Sequence, residues 1–182
     1  MATLMQKFWW AVMLRGILAI AFGLGALFCR NLSSLAYLFG IFALSQGVLC
    51  SIPAFAASSR GRLLAGIEGM MGVLVALLAL LGSSIGALLW PSVANVTLLI
   101  YIVSWIVVTG VVALAMLVRL RVESSGSLYM GLSAVLCVIF SVLLVSRHAA
   151  SALGNAGILG VFGILYGVVL VLIGRKAHSG KP

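Results

Sequence analysis

Two residues of opposite charge, Arg15 and Glu68, each fall inside a long apolar run of the sequence. A charged side chain held toward the middle of a bilayer costs ~2.5 kcal/mol or more, so such residues turn toward neighbouring helices and find partners. Each lies some six residues into its run, about 9 Å deep at ~1.5 Å per residue. Equal depth and opposite sign make mutual pairing the least costly arrangement. The chemistry open to such a pair is of two kinds. It can act as an ion pair that locks two helices together, or as a proton- or ion-responsive group. A third outcome has Arg15 extend its stem and carry its charge back to the headgroups.

Other reactive types are sparse and badly placed for catalysis. The sequence contains no Asp, so a Ser/His/Asp set cannot form. His148 falls at a break between apolar runs and His178 near the C-terminus. Gly66, Gly69 and Gly72 do not make a dinucleotide fingerprint, because they lie within an apolar run rather than after a strand. Cys29, Cys50 and Cys137 have neither the even count of a disulfide framework nor the C-x-x-C spacing of a zinc site. They read as small buried apolar residues. No catalytic residue, metal site or cofactor is expected.

The elements that must position Arg15 and Glu68 follow from composition. Hydrophobic residues make up 64% of the 182 and charged residues 7%, against about 25% charged in a typical soluble domain. A soluble fold of this size cannot hide so much apolar surface. Soluble enzymes, disordered chains and secreted disulfide scaffolds are excluded. A helical span needs about 20 apolar residues, and six such runs are present, at 8–28, 32–54, 63–83, 92–118, 127–146 and 152–174. The runs are continuous rather than alternating, which argues against a β-barrel. The first run is expected to be a retained helix and not a cleaved signal, since Arg15 interrupts it and no small-x-small site follows.

The net charge of +9 does not indicate nucleic acid, because the basic residues are scattered between apolar runs instead of clustered on one face. Their placement sets orientation. Lys7, Arg60, Arg62, Arg119, Arg121, Arg175, Lys176 and Lys181 fall on one side of a six-span arrangement; Arg30 and Arg147 fall on the other. The richer side is cytoplasmic by the positive-inside rule. The expected fold class is thus an all-α integral membrane protein, a single multi-pass domain over 1–182 with both termini cytoplasmic.

The chain also reads as a threefold repeat. Arg15-Gly16, Glu68-Gly69 and Ser133-Ala134 open the odd spans with a polar residue and then a small one. Gln46-Gly47, Thr109-Gly110 and Tyr166-Gly167 are the matching pairs in the even spans. Three tandem two-helix hairpins result, at approximately 8–57, 62–120 and 127–175, followed by a short basic tail, 175–182. The middle hairpin carries extra residues, most simply placed around Gly82-Ser83-Ser84. Repeats of two helices keep their direction and are related by an axis along the membrane normal.

Three tandem hairpins, Trp9-Trp10 leading into Leu14-Arg15-Gly16-Ile17-Leu18, Ile67-Glu68-Gly69 in the third span, and Leu89-Trp90-Pro91 at an outer turn together resemble the HdeD-type acid-resistance membrane protein family. The resemblance covers nearly the whole chain. It departs at the other two outer turns, which carry Cys29-Arg30-Asn31 and Ser146-Arg147-His148 in place of Trp-Pro. It implies a bacterial inner-membrane protein, non-enzymatic, tied to tolerance of acid and related stress, and it supplies no catalytic residues.

Repeat equivalence puts Arg15, Gln46, Glu68, Thr109, Ser133 and Tyr166 at one depth. They are expected to form an intramembrane polar layer, read either as interhelical hydrogen bonds or as the site of a small transporter or channel. Ala19, Phe22 and Ala26 share the Arg15 stripe, and Gly72, Val75 and Ala79 share that of Glu68. In the last span Ala156, Gly160, Gly163, Gly167 and Gly174 share a face, a smooth groove for a neighbouring helix of this chain or of a second copy in a homo-oligomer. Arg175, Lys176 and Lys181 are expected to meet anionic lipid headgroups of the bilayer.

Overall fold

The computed structural model describes residues 9–56, 59–89, 91–120, 126–146 and 155–179. Every regular element among them is an α-helix. They are α1 (Trp9–Phe28), α2 (Leu32–Ala56), α3 (Ser59–Leu89), α4 (Pro91–Leu120), α5 (Gly126–Ser146) and α6 (Ala156–Ser179). Helix starts follow local chemistry. Asn31 and Asn155 stand just before α2 and α6, and their carbonyls accept from Leu35 N–H at 3.1 Å and Leu159 N–H at 3.0 Å. Pro91 occupies the first position of α4, where its missing N–H costs nothing.

Four helices contain stretches long and apolar enough to cross a membrane: Trp9–Phe28, Ser33–Ile52, Val96–Ala115 and Ala156–Ser179. Gly66–Gly82 in α3 and Gly131–Leu144 in α5 are shorter apolar stretches. The outer surface is apolar on every helix: Ile17, Ile41, Met70, Val111, Val138 and Leu165 are all exposed. Such a surface belongs in hydrocarbon rather than water.

The helices close into a ring, each packing on its two neighbours in chain order, with α6 returning to α1. The start of α1 and the end of α6 meet, the Trp9 ring lying 4.3 Å from the His178 ring. The start of α1 and the end of α6 therefore lie at one end of the bundle. The closest backbone approaches lie between different helix pairs, not within them. Across α1 and α6, a Cβ on Gly16 would stand 2.7 Å from the Gly167 carbonyl oxygen, and one on Gly23 would stand 2.6 Å from that of Gly160. Across α2 and α3, a Cβ on Gly47 would stand 2.8 Å from the Gly69 carbonyl oxygen. Across α4 and α5 the seam is of another kind: a Cβ on Gly110 would stand 2.8 Å from the Cβ of Cys137, and Ala134 stands where the other two seams have Gly16 and Gly69. Small residues allow such approach because they leave no side chain between the backbones.

The interior is aromatic. Phe22 stacks on Phe42 at 4.4 Å, and Trp105 meets Phe42 edge-on at 5.4 Å, joining α1, α2 and α4. Phe162 links Phe140 and Tyr166 at 5.1 and 5.5 Å, joining α5 to α6. Ala19, Phe22 and Ala26 are buried, as are Val75 and Ala79.

Two expectations about boundaries change. The additional residues of the middle hairpin do not form a loop at Gly82-Ser83-Ser84; they lengthen α3 and α4 to 31 and 30 residues. Gly82 is a poor helix former but cannot stop a helix whose flanking residues continue the apolar pattern. The basic segment from 175 is not wholly a tail, because α6 runs through Arg175, Lys176 and His178 to Ser179. Cations at a helix C-terminus are favoured by the helix dipole, which helps the last turns form. Lys7, Trp90, Arg121, Glu123, Arg147, His148 and Lys181 lie outside the described residues.

Candidate intramembrane polar site

Arg15, Gln46 and Glu68 are brought together from three helices. Arg15 Nε donates to Gln46 Oε1 at 2.7 Å. Its terminal nitrogen Nη2 donates to Glu68 Oε1 at 2.8 Å, which makes the Arg15–Glu68 salt bridge. The Gln46 amide nitrogen in turn donates to the Arg15 backbone carbonyl at 2.9 Å. Gln46 thus closes a two-way link between α1 and α2, while the carboxylate ties α1 to α3. Arg15 does not extend to the headgroups: its guanidinium is engaged inward. The ion pair is largely covered, with side-chain exposures of 14% for Arg15 and 11% for Glu68.

The glycine seam makes this geometry possible. Gln46 precedes Gly47 and Glu68 precedes Gly69, and those glycines let α2 and α3 touch backbone to backbone. Polar side chains one residue away are then carried into reach of a third helix. Arg15 precedes Gly16 at the equivalent seam with α6, so the charge is delivered from one close approach to the next.

The other layer residues are buried but differ in their bonding. Tyr166 on α6 lies within electrostatic range of both Arg15 and Glu68. Ser133 on α5 is buried. Thr109 on α4 is 4% exposed, and its hydroxyl has no hydrogen-bond partner among the described residues. The layer is therefore asymmetric. The ion pair lies on the α1–α2–α3 side, and Thr109 at the α4–α5 seam has a hydroxyl without a partner among the described residues. That orphan costs about 1–3 kcal/mol relative to a bonded one.

Sequence reasoning assigned Cys50 and Cys137 only as apolar filler, and both belong to the surroundings of the site. Cys50 and Cys137 both lie within electrostatic range of the Glu68 carboxylate. The signal was present: Cys50 is four residues after Gln46 and Cys137 four after Ser133, one helical turn along the same face. Ala156, Gly160, Gly163, Gly167 and Gly174 are all buried. Gly160, Gly163, Gly167 and Gly174 pack against Gly16, Ala19, Gly23, Leu27 and Met13 of α1. That face is occupied within the chain, so it is not offered to a second copy. Among the described residues no group of three His, Cys, Asp or Glu is arranged to hold a metal ion.

Comparison with protein-family models, curated proteins and solved structures returns no match for this chain.

Proposed function

We propose that the chain is a non-enzymatic, six-span bacterial inner-membrane protein with both termini cytoplasmic, built from three two-helix repeats, that stabilises the membrane or a partner under acid and related stress. The single observation that carries a structural role is how the charge at mid-bundle is used. Arg15 is held by Glu68 and Gln46 from two other helices, so the charge serves as a clasp. Phe42 lies one turn along α2 from Gln46, and it interlocks with Phe22 and Trp105. Packed aromatic rings beside the polar layer suit a rigid scaffold better than a conduction path. The stress role comes from the resemblance to the HdeD-type family and extends to this chain as a proposal. Cells lacking the protein should survive acid challenge less well, and wild-type protein should restore survival. Unchanged survival would remove the stress role.

A small transporter or channel is the second reading, favoured by the residual exposure of the ion pair. In that case solute would reach the layer formed by Arg15, Gln46, Glu68, Thr109, Ser133 and Tyr166. Flux into proteoliposomes decides between the two readings. Uptake that Glu68→Gln abolishes would establish transport, and its absence across ions and small polar solutes supports the scaffold.

A further inference from the structure

We infer that the end of the α1–α6 seam where Trp9 meets His178 binds an acidic phospholipid, its phosphate against Arg175 and Lys176 and an acyl chain along the outer face of α6. The inference rests on the membrane reading above and specifies one lipid site within it.

Leu165, Val168, Leu172 and Arg175 follow one another at spacings of three, four and three residues, and all are exposed. At 100° per residue they form a single outward stripe. The stripe is apolar along its length and cationic at its end, which is the polarity of a phospholipid lying against a helix. Apolar stripes face outward on the other helices too. What sets α6 apart is that its stripe terminates in a described, exposed arginine, with Lys176 and His178 in the same turn.

The termination is also anchored. Trp9 holds the His178 ring at 4.3 Å, so the end of α6 is tied to the start of α1. Trp10, the next residue on α1, is exposed beside it. Tryptophan concentrates at the level of the headgroups, where its apolar ring and polar N–H are both accommodated. The position therefore coincides with the membrane–water boundary, and Arg175 stands at phosphate height.

Charge complementarity selects an acidic lipid. The chain has only two acids, Glu68 and Glu123. Glu68 is committed to Arg15 inside the bundle, and Glu123 lies outside the described residues. Among those residues no carboxylate meets Arg175, and a lipid phosphate supplies the missing anion. A free phosphate would meet the same cations but would leave the apolar stripe unused, so the lipid is the better fit.

The test uses the full-length protein reconstituted in phosphatidylcholine vesicles doped with phosphatidylglycerol, with retained lipid read by native mass spectrometry after extraction. Wild type should retain phosphatidylglycerol over phosphatidylcholine. Each basic side chain near the surface is expected to contribute about fivefold to that preference. Arg175→Gln with Lys176→Gln should therefore remove most of it, while Arg30→Gln, which removes an exposed charge at the other end, should leave it intact. All these side chains are exposed, so the variants should fold. Equal loss in Arg30→Gln would show a response to net charge alone and overturn the site. An unchanged preference in the double variant would also overturn it. Displacement of the lipid by inorganic phosphate would assign the cations to a free anion and overturn the lipid. Failure of the membrane reading is distinguishable, since the protein would then not float with phosphatidylcholine vesicles at all.

Discussion

Arg15 on α1 and Glu68 on α3 meet at 2.8 Å although 53 residues separate them in the chain. The two helices are not neighbours in the ring; α2 stands between them and contributes Gln46 to the same guanidinium. One side chain therefore couples three consecutive helices, and the coupling crosses from the first hairpin to the second.

Removing the carboxylate should expose this coupling. Glu68→Ala leaves a covered cation without its counter-charge, and breaking a buried pair in this way costs about 3 kcal/mol. Glu68→Gln keeps an acceptor for Arg15 and should cost less. Swapping both partners, Arg15→Glu with Glu68→Arg, should recover much of the loss. Thermal unfolding in detergent measures all three, and a double swap no better than either single change would mean that the residues act separately.

The seam glycines should tolerate no methyl group. At Gly16 and Gly167 a Cβ would meet backbone atoms of the opposite helix at 2.6–2.8 Å, and backbone cannot swing aside as a side-chain tip can. Gly16→Ala and Gly167→Ala are each expected to destabilise by about 1–3 kcal/mol. Gly66→Ala, where nothing lies within 4 Å, should instead stabilise by up to about 1 kcal/mol through helix propensity. Melting midpoints of the three variants should move in these opposite directions.

Thr109 and Gln46 occupy equivalent positions in the repeat reading, yet their replacement should have opposite effects. Thr109→Val removes a buried hydroxyl that has no partner among the described residues, so stability should hold or rise by about 1 kcal/mol. Gln46→Leu takes the acceptor away from Arg15 Nε and should be destabilising. A loss in Thr109→Val comparable to that in Gln46→Leu would show that the hydroxyl is bonded in the membrane.

Topology is open to labelling. With the half-buried Cys29 replaced, a cysteine at Asn31 should react with an impermeant thiol reagent from outside intact cells. A cysteine at Ser179 should react only after the membrane is opened. Both positions are exposed. The reverse pattern would invert the assignment based on basic loops.

Much of the architecture was legible in the sequence because hydrocarbon imposes strong local rules. Helical runs near 20 residues had to appear wherever apolar sequence was continuous, and α1, α2, α4 and α5 follow the expected runs within two residues. The positions of Arg15 and Glu68 marked them for each other, since a charge at that depth needs a partner and the chain has no other acid inside an apolar run. Helical periodicity likewise showed which face of α6 is smooth. Periodicity does not say which helix a face meets. Only the tertiary structure decided that α6 closes on α1 and that the closest approaches fall between different hairpins. It also set Cys50 within electrostatic range of Glu68 and left the Thr109 hydroxyl without a hydrogen-bond partner among the described residues. Each of these depends on how near two backbones come, a distance set jointly by small residues far apart in the chain.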